Sequence, residues 1–324
     1  MKRKRRTIGK DTLSLSIIFM LVLGAIAFLS GAGHFEKSEC GLFLPSPESW
    51  IPLPIASVGT NLLLLIAIGI ASVFFNRHYN FVKTSQPVGQ TAFFLMAGSN
   101  VLVTGELGTS TLLLIANFVC FSFLFDTYRK PNATQEFFIV ATIIALGSMV
   151  QYAFLMMIPV FIAAGFILQA MRIREILAFG MGLIAPFWVG IGLGLLPLEQ
   201  FRLPRPTILF LQTGIEESSV AILVNIGFTL LTAILMFLNN EIKLYAGNSR
   251  VLALNNIISV SGLAAAICMI ADYDNLPAYL ATFYYACSYQ TANLFALRDI
   301  KRGPLLMDIT AIIYAALFAA TLLT

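Results

Sequence analysis

The distribution of charge between long apolar runs is the feature that most constrains the fold of this chain. Seventeen of the 20 Lys and Arg residues fall in alternate gaps between these runs, and only Lys37, Arg202 and Arg205 fall in the remaining gaps. Most of the acidic residues take the opposite set of gaps. This alternation is typical of a polytopic membrane protein whose basic loops share one side of the bilayer.

The composition indicates that lipid rather than water covers the surface. The chain is 58% hydrophobic and 11% charged, with a mean hydropathy of +0.86, whereas soluble domains are about 25% charged. No Gly/Ser-rich or Pro-rich linker interrupts the chain. We therefore predict one integral membrane domain over residues 1–324, preceded within it by a basic cytoplasmic arm at residues 1–11.

The apolar runs predict an all-α bundle of about eleven transmembrane helices. Lipid-facing backbone must satisfy its own hydrogen bonds, and continuous runs favour helices over the short alternating strands of a barrel. The third and fifth segments are the shortest, and a bundle of nine helices remains an alternative. The predicted spans are 12–31, 53–75, 90–105, 108–125, 136–151, 153–171, 175–196, 218–238, 252–271, 277–297 and 304–323.

The basic gaps predict a cytoplasmic N-terminus and an outer C-terminus. The first apolar run reaches the length of a membrane span, so we predict an uncleaved signal-anchor rather than a signal peptide. The two long gaps of the opposite set, about 31–52 and 196–218, would then face the outside. The residues predicted to be cytoplasmic are Lys2, Arg3, Lys4, Arg5, Arg6, Lys10, Arg77, Lys83, Arg129, Lys130, Arg172, Arg174, Lys243, Arg250, Arg298, Lys301 and Arg302.

The sequence lacks the residues that several kinds of chemistry require. The four cysteines show no CxxC or Cys/His spacing, and His34 and His78 are the only histidines. Neither a zinc site nor a disulfide framework is predicted, and no cofactor is expected. No Walker A, nucleophile-elbow or HExxH motif occurs. The basic residues form no stripe, so a nucleic-acid partner is not expected either.

The two long outer loops carry the charged residues best suited to chemistry. Glu36 and Glu39 follow the first span, and a carboxylate at the membrane surface suits a general base, although a solvated loop explains them too. Arg202 and Arg205 lie in an apolar, Pro-broken stretch, where the planar guanidinium suits a lipid phosphate. Interfacial snorkelling is the alternative for both arginines.

Two further patterns are weaker. Asp272 and Asp274 flank one residue in a tight outer turn, where turn formation is a commoner role than metal binding. Tyr285, Tyr289 and Asn293 recur every four residues and share one helical face, where they would line a cavity or hydrogen-bond to neighbouring helices.

Residues 108–188 contain Ala116-Asn117-Phe118, Tyr128-Arg129-Lys130, Gly147-Ser148, Arg174-Glu175 and Pro186. With these features the stretch resembles a family of multi-pass inner-membrane proteins of unknown function from Bacteroidota. More distantly, the same stretch is similar in helix pattern to the membrane glycosyltransferases of the C superfamily. That resemblance implies an outer-face site that uses a polyprenyl-phosphate-linked sugar. By position, the catalytic carboxylate of the first outer loop would be Glu36 or Glu39.

Three functions follow as hypotheses for a protein of the bacterial inner membrane. The first is envelope glycan or lipid-linked sugar assembly, with Glu36 or Glu39 as the base and Arg202 and Arg205 holding the lipid phosphate. The second is a transporter or flippase whose path is lined by the Tyr285, Tyr289 and Asn293 face. The third is a non-catalytic subunit that contacts other envelope proteins. All three have membrane lipids as partners.

The predicted orientation can be tested by cysteine labelling in a Cys40→Ser background. We expect Arg205→Cys to react with a membrane-impermeant maleimide in intact cells, and Lys243→Cys to react only after the cells are broken. The readout is the fraction of labelled protein on a gel. The reverse pattern would contradict the assignment of the basic loops to the cytoplasm.

Overall fold

The computed structural model describes residues 10–31, 43–80, 82, 87–196, 208–209, 217–244, 248–297 and 303–323. Within them the regular structure is helical and contains no strand, which confirms the all-α class. The α-helices are α1 (Lys10–Ser30), α2 (Pro54–Tyr79), α3 (Val88–Gly98), α4 (Val101–Thr104), α5 (Thr109–Phe125), α6 (Thr134–Val150), α7 (Ala153–Met156), α8 (Ile158–Ile167), α9 (Ile173–Gly192), α10 (Glu217–Leu244), α11 (Ser249–Ala271), α12 (Leu276–Leu297) and α13 (Gly303–Leu323).

Six of these helices are long and apolar enough to cross a membrane, namely α1, α2, α9, α10, α11 and α13. Each coincides with a predicted span. Four further apolar stretches are shorter: α3, α5, α6, and α7 with α8. The remaining predicted span, 277–297, coincides with α12, which is long but rich in polar residues. A membrane protein is therefore supported, with six helices that meet the requirements for crossing.

Helix α12 lies at the centre of the bundle. It packs against α11, α3, α5 and α10, and its residues 278–293 are all buried. A polar side chain facing lipid has no partner for its hydrogen bonds and is costly there. The surrounding helices remove that cost, which explains how a helix bearing tyrosine, glutamine, threonine and asparagine occupies the interior.

Helix α3 is buried along its whole length, and it ends within the bundle. Every residue of Val88–Gly98 is buried, and α3 packs against both α1 and α12. After Ser99, the chain restarts as the single turn α4, whose N-cap Asn100 accepts a hydrogen bond from the backbone N–H of Leu102. A break of this kind inside a membrane is tolerated only where protein or water, not lipid, surrounds it.

Small residues allow the closest helix pair to form. Helices α6 and α9 make the most extensive contact in the described structure. A Cβ atom added at Gly182 would lie 2.5 Å from the carbonyl oxygen of Phe138 and 2.8 Å from the Cβ atom of Ala141. The Thr142 hydroxyl also donates to the Gly182 carbonyl at 3.4 Å. Close backbone approach through small residues is a general means of joining helices in membranes.

A matched pair of substitutions on α9 tests this packing. Gly182→Ala should destabilise the protein by about 1–3 kcal/mol, because the new methyl group meets backbone that cannot move aside. Gly180→Ala should be neutral or stabilising, because a Cβ atom there meets nothing within 4 Å and alanine favours helix. Thermal unfolding in detergent micelles measures both. Equal melting temperatures for the two variants would contradict the proposed role of Gly182.

Candidate binding site between helices α10, α11 and α12

A cavity of about 310 Å³ lies between α10, α11 and α12, with α8 at its edge. That volume falls at the lower end of the range of small-molecule sites. Most of the wall is apolar, and three neutral polar side chains, Asn256, Ser259 and Gln290, form one edge. The residues that line the cavity are Ile167, Leu230, Ala233, Ile234, Phe237, Asn256, Ser259, Val260, Gly262, Leu263, Phe283, Ala286, Cys287 and Gln290.

The arrangement of the three helices explains why space remains there. Helices α10 and α11 each pack more extensively against α12 than against one another. Helix α11 approaches α12 closely at Gly262, where an added Cβ atom would lie 2.7 Å from the Cβ atom of Ala286. The larger side chains of α10, among them Leu230 and Phe237, face the resulting cleft. The cavity therefore follows from a tight α11–α12 contact beside a looser α10–α11 contact.

The polar edge of the cavity continues into a group of hydrogen-bonded side chains, which we call the amide cluster (Asn240, Asn255, Gln290, Asn293 and Ser259). The Asn240 amide donates to the backbone oxygen of Gln290 at 2.9 Å and to its Oε1 at 3.2 Å. The Gln290 amide donates to Ser259 Oγ at 2.7 Å and to Asn255 Oδ1 at 3.4 Å. Asn293 donates to the same Asn255 oxygen at 2.5 Å. The cluster thereby joins α10, α11 and α12.

The polar edge faces one end of the bundle. On α11, Asn256 and Ser259 precede Leu263 and lie nearer to the exposed Arg250. On α12, which runs antiparallel to α11 across a short turn, Gln290 follows Phe283 and so lies toward the same end. The cavity is therefore amphipathic along the helix axes, with an apolar middle and a neutral polar end.

A second polar group, the break network, holds the interrupted helix α3 (Ser99, Asn100, Asn225 and Tyr284). Asn100 donates to the Tyr284 hydroxyl at 3.0 Å, and that hydroxyl donates to Asn225 Oδ1 at 2.9 Å. Asn225 in turn donates to the backbone oxygen and the hydroxyl of Ser99, at 3.2 and 3.0 Å. All four residues are buried. Discontinuous helices of this type often adjoin the binding sites of transporters.

A third group, the aspartate clasp, surrounds the buried carboxylate of Asp272 in the turn between α11 and α12. Tyr152 donates to Oδ1 at 2.7 Å, Tyr279 donates to Oδ2 at 2.9 Å, and the Asn275 amide donates to both oxygens. Burial and the neighbouring Asp272 carboxylate raise the pKa of Tyr152, so its hydroxyl remains a donor at neutral pH. These contacts give Asp272 a structural role, whereas the sequence offered turn formation or metal binding.

Of the residues predicted to carry function, Glu36, Glu39, Arg202 and Arg205 lie outside the described residues. The other three lie on α12 and are buried. The hydroxyls of Tyr285 and Tyr289 are 3.1 Å apart, and Tyr285 packs against the rings of Phe93 and Phe118. Asn293 belongs to the amide cluster. None of the three lines the cavity described above, and their role in lining a path stays a prediction.

The residues at the polar edge were missed by reasoning from the sequence. Asn256 and Ser259 sit inside an apolar run, and Asn240 comes near the end of another. Polar residues within a span are a general indication of function, and this signal was present. Their convergence with Gln290 depends on how α10, α11 and α12 pack, which no local pattern encodes.

Comparisons with protein-family models, curated proteins and solved structures find no match for the chain. The resemblances stated for residues 108–188 therefore remain predictions. Among the described residues, no group of three or more His, Cys, Asp or Glu side chains is placed to hold a metal ion. The site consists of an apolar cavity, a neutral polar edge and the buried networks beside it.

A double-mutant cycle tests the break network. Tyr284→Phe should cost about 1–2 kcal/mol of unfolding free energy, because the buried Asn100 Nδ2 and Asn225 Oδ1 both lose their bond to the Tyr284 hydroxyl. Asn225→Leu should cost a similar amount, and the double variant should cost clearly less than the two single costs together. Denaturant unfolding in mixed micelles provides the values.

Tyr79→Phe is the matched control, because its hydroxyl donates to the backbone oxygen of Ser122, which lies outside the network, at 2.9 Å. Its cost should add to that of Tyr284→Phe to within about 0.5 kcal/mol. Full additivity between Tyr284→Phe and Asn225→Leu would show instead that the four residues do not act as a unit.

Proposed function

We propose that the protein is a multi-pass protein of the bacterial inner membrane with a cytoplasmic N-terminus and about eleven crossings. The placement of the basic residues supports the orientation. The 17-residue helices α5 and α6 are about 25 Å long at 1.5 Å per residue. Such a length needs only modest local thinning of the bilayer. Helix α12 needs no apolar surface, because other helices cover it.

Within that frame, we propose that the protein is a transporter or flippase for an amphipathic molecule. The observation that carries this proposal is the cavity between α10, α11 and α12. Its apolar wall suits a hydrocarbon tail, and its polar edge of Asn256, Ser259 and Gln290 suits a head group. In the proposed orientation the polar edge points toward the cytoplasm, as does the head group of a molecule in the inner leaflet.

The broken helix beside the cavity supports transport rather than storage of such a molecule. Interrupted helices near the middle of the membrane are typical of secondary transporters, and α3 ends against α12 at Ser99 and Asn100. The break network connects this interruption to α10 through Asn225. Helix α10 also lines the cavity, so a change in α10 would reach both features.

Envelope glycan assembly by a glycosyltransferase-like mechanism is the second candidate. The outer carboxylates Glu36 and Glu39 and the outer arginines Arg202 and Arg205 favour it. In that case Glu36→Gln or Glu39→Gln would abolish an envelope glycan while the protein still inserts in the membrane. Unchanged glycans in both variants would exclude those carboxylates as the catalytic base.

Photolabelling tests the cavity directly. A dodecanol carrying a diazirine on its chain should label peptides from α10, α11 and α12 in the purified protein. Ala233→Trp should lower this labelling by about tenfold or more, because the indole fills a cavity of this size. Ala316→Trp, on the exposed surface of α13, is the matched control and should label like the wild type. Labelling that Ala233→Trp leaves unchanged would contradict the site.

Transport is measured on the same proteins after reconstitution into vesicles. The wild type and Ala316→Trp should speed the movement of a fluorescent single-chain amphipath between leaflets, and Ala233→Trp should not. A cavity that is labelled without any acceleration by the wild type would indicate binding without transport.

A further inference from the structure

The Gln290 and Asn240 amides and the Ser259 hydroxyl already donate hydrogen bonds within the protein. The buried Asn255 Nδ2 beside them has no partner among the described residues. Both bonds from the Gln290 amide go to Ser259 and Asn255, and both from the Asn240 amide go to Gln290. The Ser259 hydroxyl donates to the backbone oxygen of Asn255 at 2.9 Å. A molecule that needed donors from these three side chains would have to break existing bonds.

Acceptors at the same place remain unused. Asn256 Oδ1, Asn240 Oδ1 and Glu241 Oε1 are buried and accept no hydrogen bond from the residues that the structure describes. Asn256 lines the cavity itself, and Asn240 is completely buried. A buried acceptor without a donor is unfavourable. A bound molecule that supplies donors would therefore be favoured at this edge.

A negative charge beside the amide cluster favours the same kind of bound molecule. The Glu241 carboxylate lies beside Asn255, which is bonded to Gln290 at the cavity edge. Within the described part of the chain, the one ion pair is between Lys130 and Glu136, so no described base neutralises Glu241. A carboxylate in a medium of low dielectric constant attracts a cation more strongly than it does in water.

We infer that the amphipathic molecule bound in this cavity carries a protonated primary amine as its head group. An ammonium group has three donors and no acceptor. It also bears the positive charge that would neutralise the Glu241 carboxylate. A phosphate or carboxylate head group brings further acceptors to a place where buried acceptors are already unpaired. It also brings a second negative charge close to that of Glu241. This inference rests on the proposed function and names the ligand class of the same site.

Competition against the diazirine dodecanol tests the head group on the unmodified protein. Dodecylamine, dodecanol and dodecyl phosphate share one tail and differ only in the head. At neutral pH, dodecylamine should reduce labelling at about tenfold lower concentration than dodecanol does, and dodecyl phosphate should be the weakest competitor. Equal competition by dodecanol or by dodecyl phosphate would overturn the amine assignment and leave the proposed cavity in place.

Substitutions locate the effect. Glu241→Gln and Asn256→Leu should each bring dodecylamine down to the level of dodecanol. Glu241→Gln, which lies outside the lining of the cavity, should leave the labelling by the photoprobe alone unchanged. Asn256→Asp should strengthen competition by the amine. Glu136→Gln, a glutamate paired with Lys130 away from the cavity, is the matched control and should keep the preference. An amine preference that survives both Glu241→Gln and Asn256→Leu would overturn the inference.

The two levels of proposal fail differently. If the photoprobe does not label the cavity of the wild type, or if Ala233→Trp does not reduce its labelling, the proposed function itself fails. If labelling behaves as expected but the three competitors act alike, only the amine assignment fails.

Discussion

The need to hide a polar helix from lipid is the constraint on which the rest of this structure depends. Helix α12 carries Tyr284, Gln290 and Asn293 at depths where lipid offers them no hydrogen bond. The cost is removed because α3, α5, α10 and α11 surround it. That arrangement also permits α3 to be short, since a helix buried against α12 and α1 need not match the thickness of the bilayer. The polar side chains of α12 then serve as anchors for its neighbours.

Those anchors determine where the bundle is tight and where it is open. Helix α10 is hydrogen-bonded to α12 at two levels, through Asn225 in the break network and through Asn240 in the amide cluster. Between them, the α10 residues that line the cavity, including Leu230 and Phe237, are all apolar. Directional bonds fix the distance between helices at each level, whereas apolar side chains adjust to the space available. The cavity lies in this stretch, beside the close α11–α12 contact at Gly262.

Apolar run length was enough to predict the all-α class and the positions of the long helices, because it reflects the contact of a helix with lipid. It did not predict the breaks between α3 and α4 or between α7 and α8. Such patterns are weakest for helices that lipid does not touch. The predicted span 277–297 coincides with α12, and its Tyr285 and Tyr289 face was interpreted either as the lining of a path or as a source of hydrogen bonds to neighbouring helices. The structure packs Tyr285 against Phe93 and Phe118, and the cavity lies on another side of α12. Asn256 and Ser259 were not selected, because their importance arises only when α10 and α12 meet α11.

The aspartate clasp and the amide cluster differ in a way that supports a structural role for the first and the proposed binding role for the second. Around Asp272, each carboxylate oxygen accepts two hydrogen bonds, from Tyr152, Tyr279 and Asn275. A saturated carboxylate of this kind has nothing left to offer a ligand, and its bonds join the turn after α6 to the turn after α11. The amide cluster is not saturated: Asn255 Nδ2 and Asn240 Oδ1 within it, and Asn256 Oδ1 in the wall of the cavity beside it, have no partner among the described residues. Buried acceptors that lack a partner do little to hold helices together. They do allow a site to select a ligand that supplies hydrogen-bond donors.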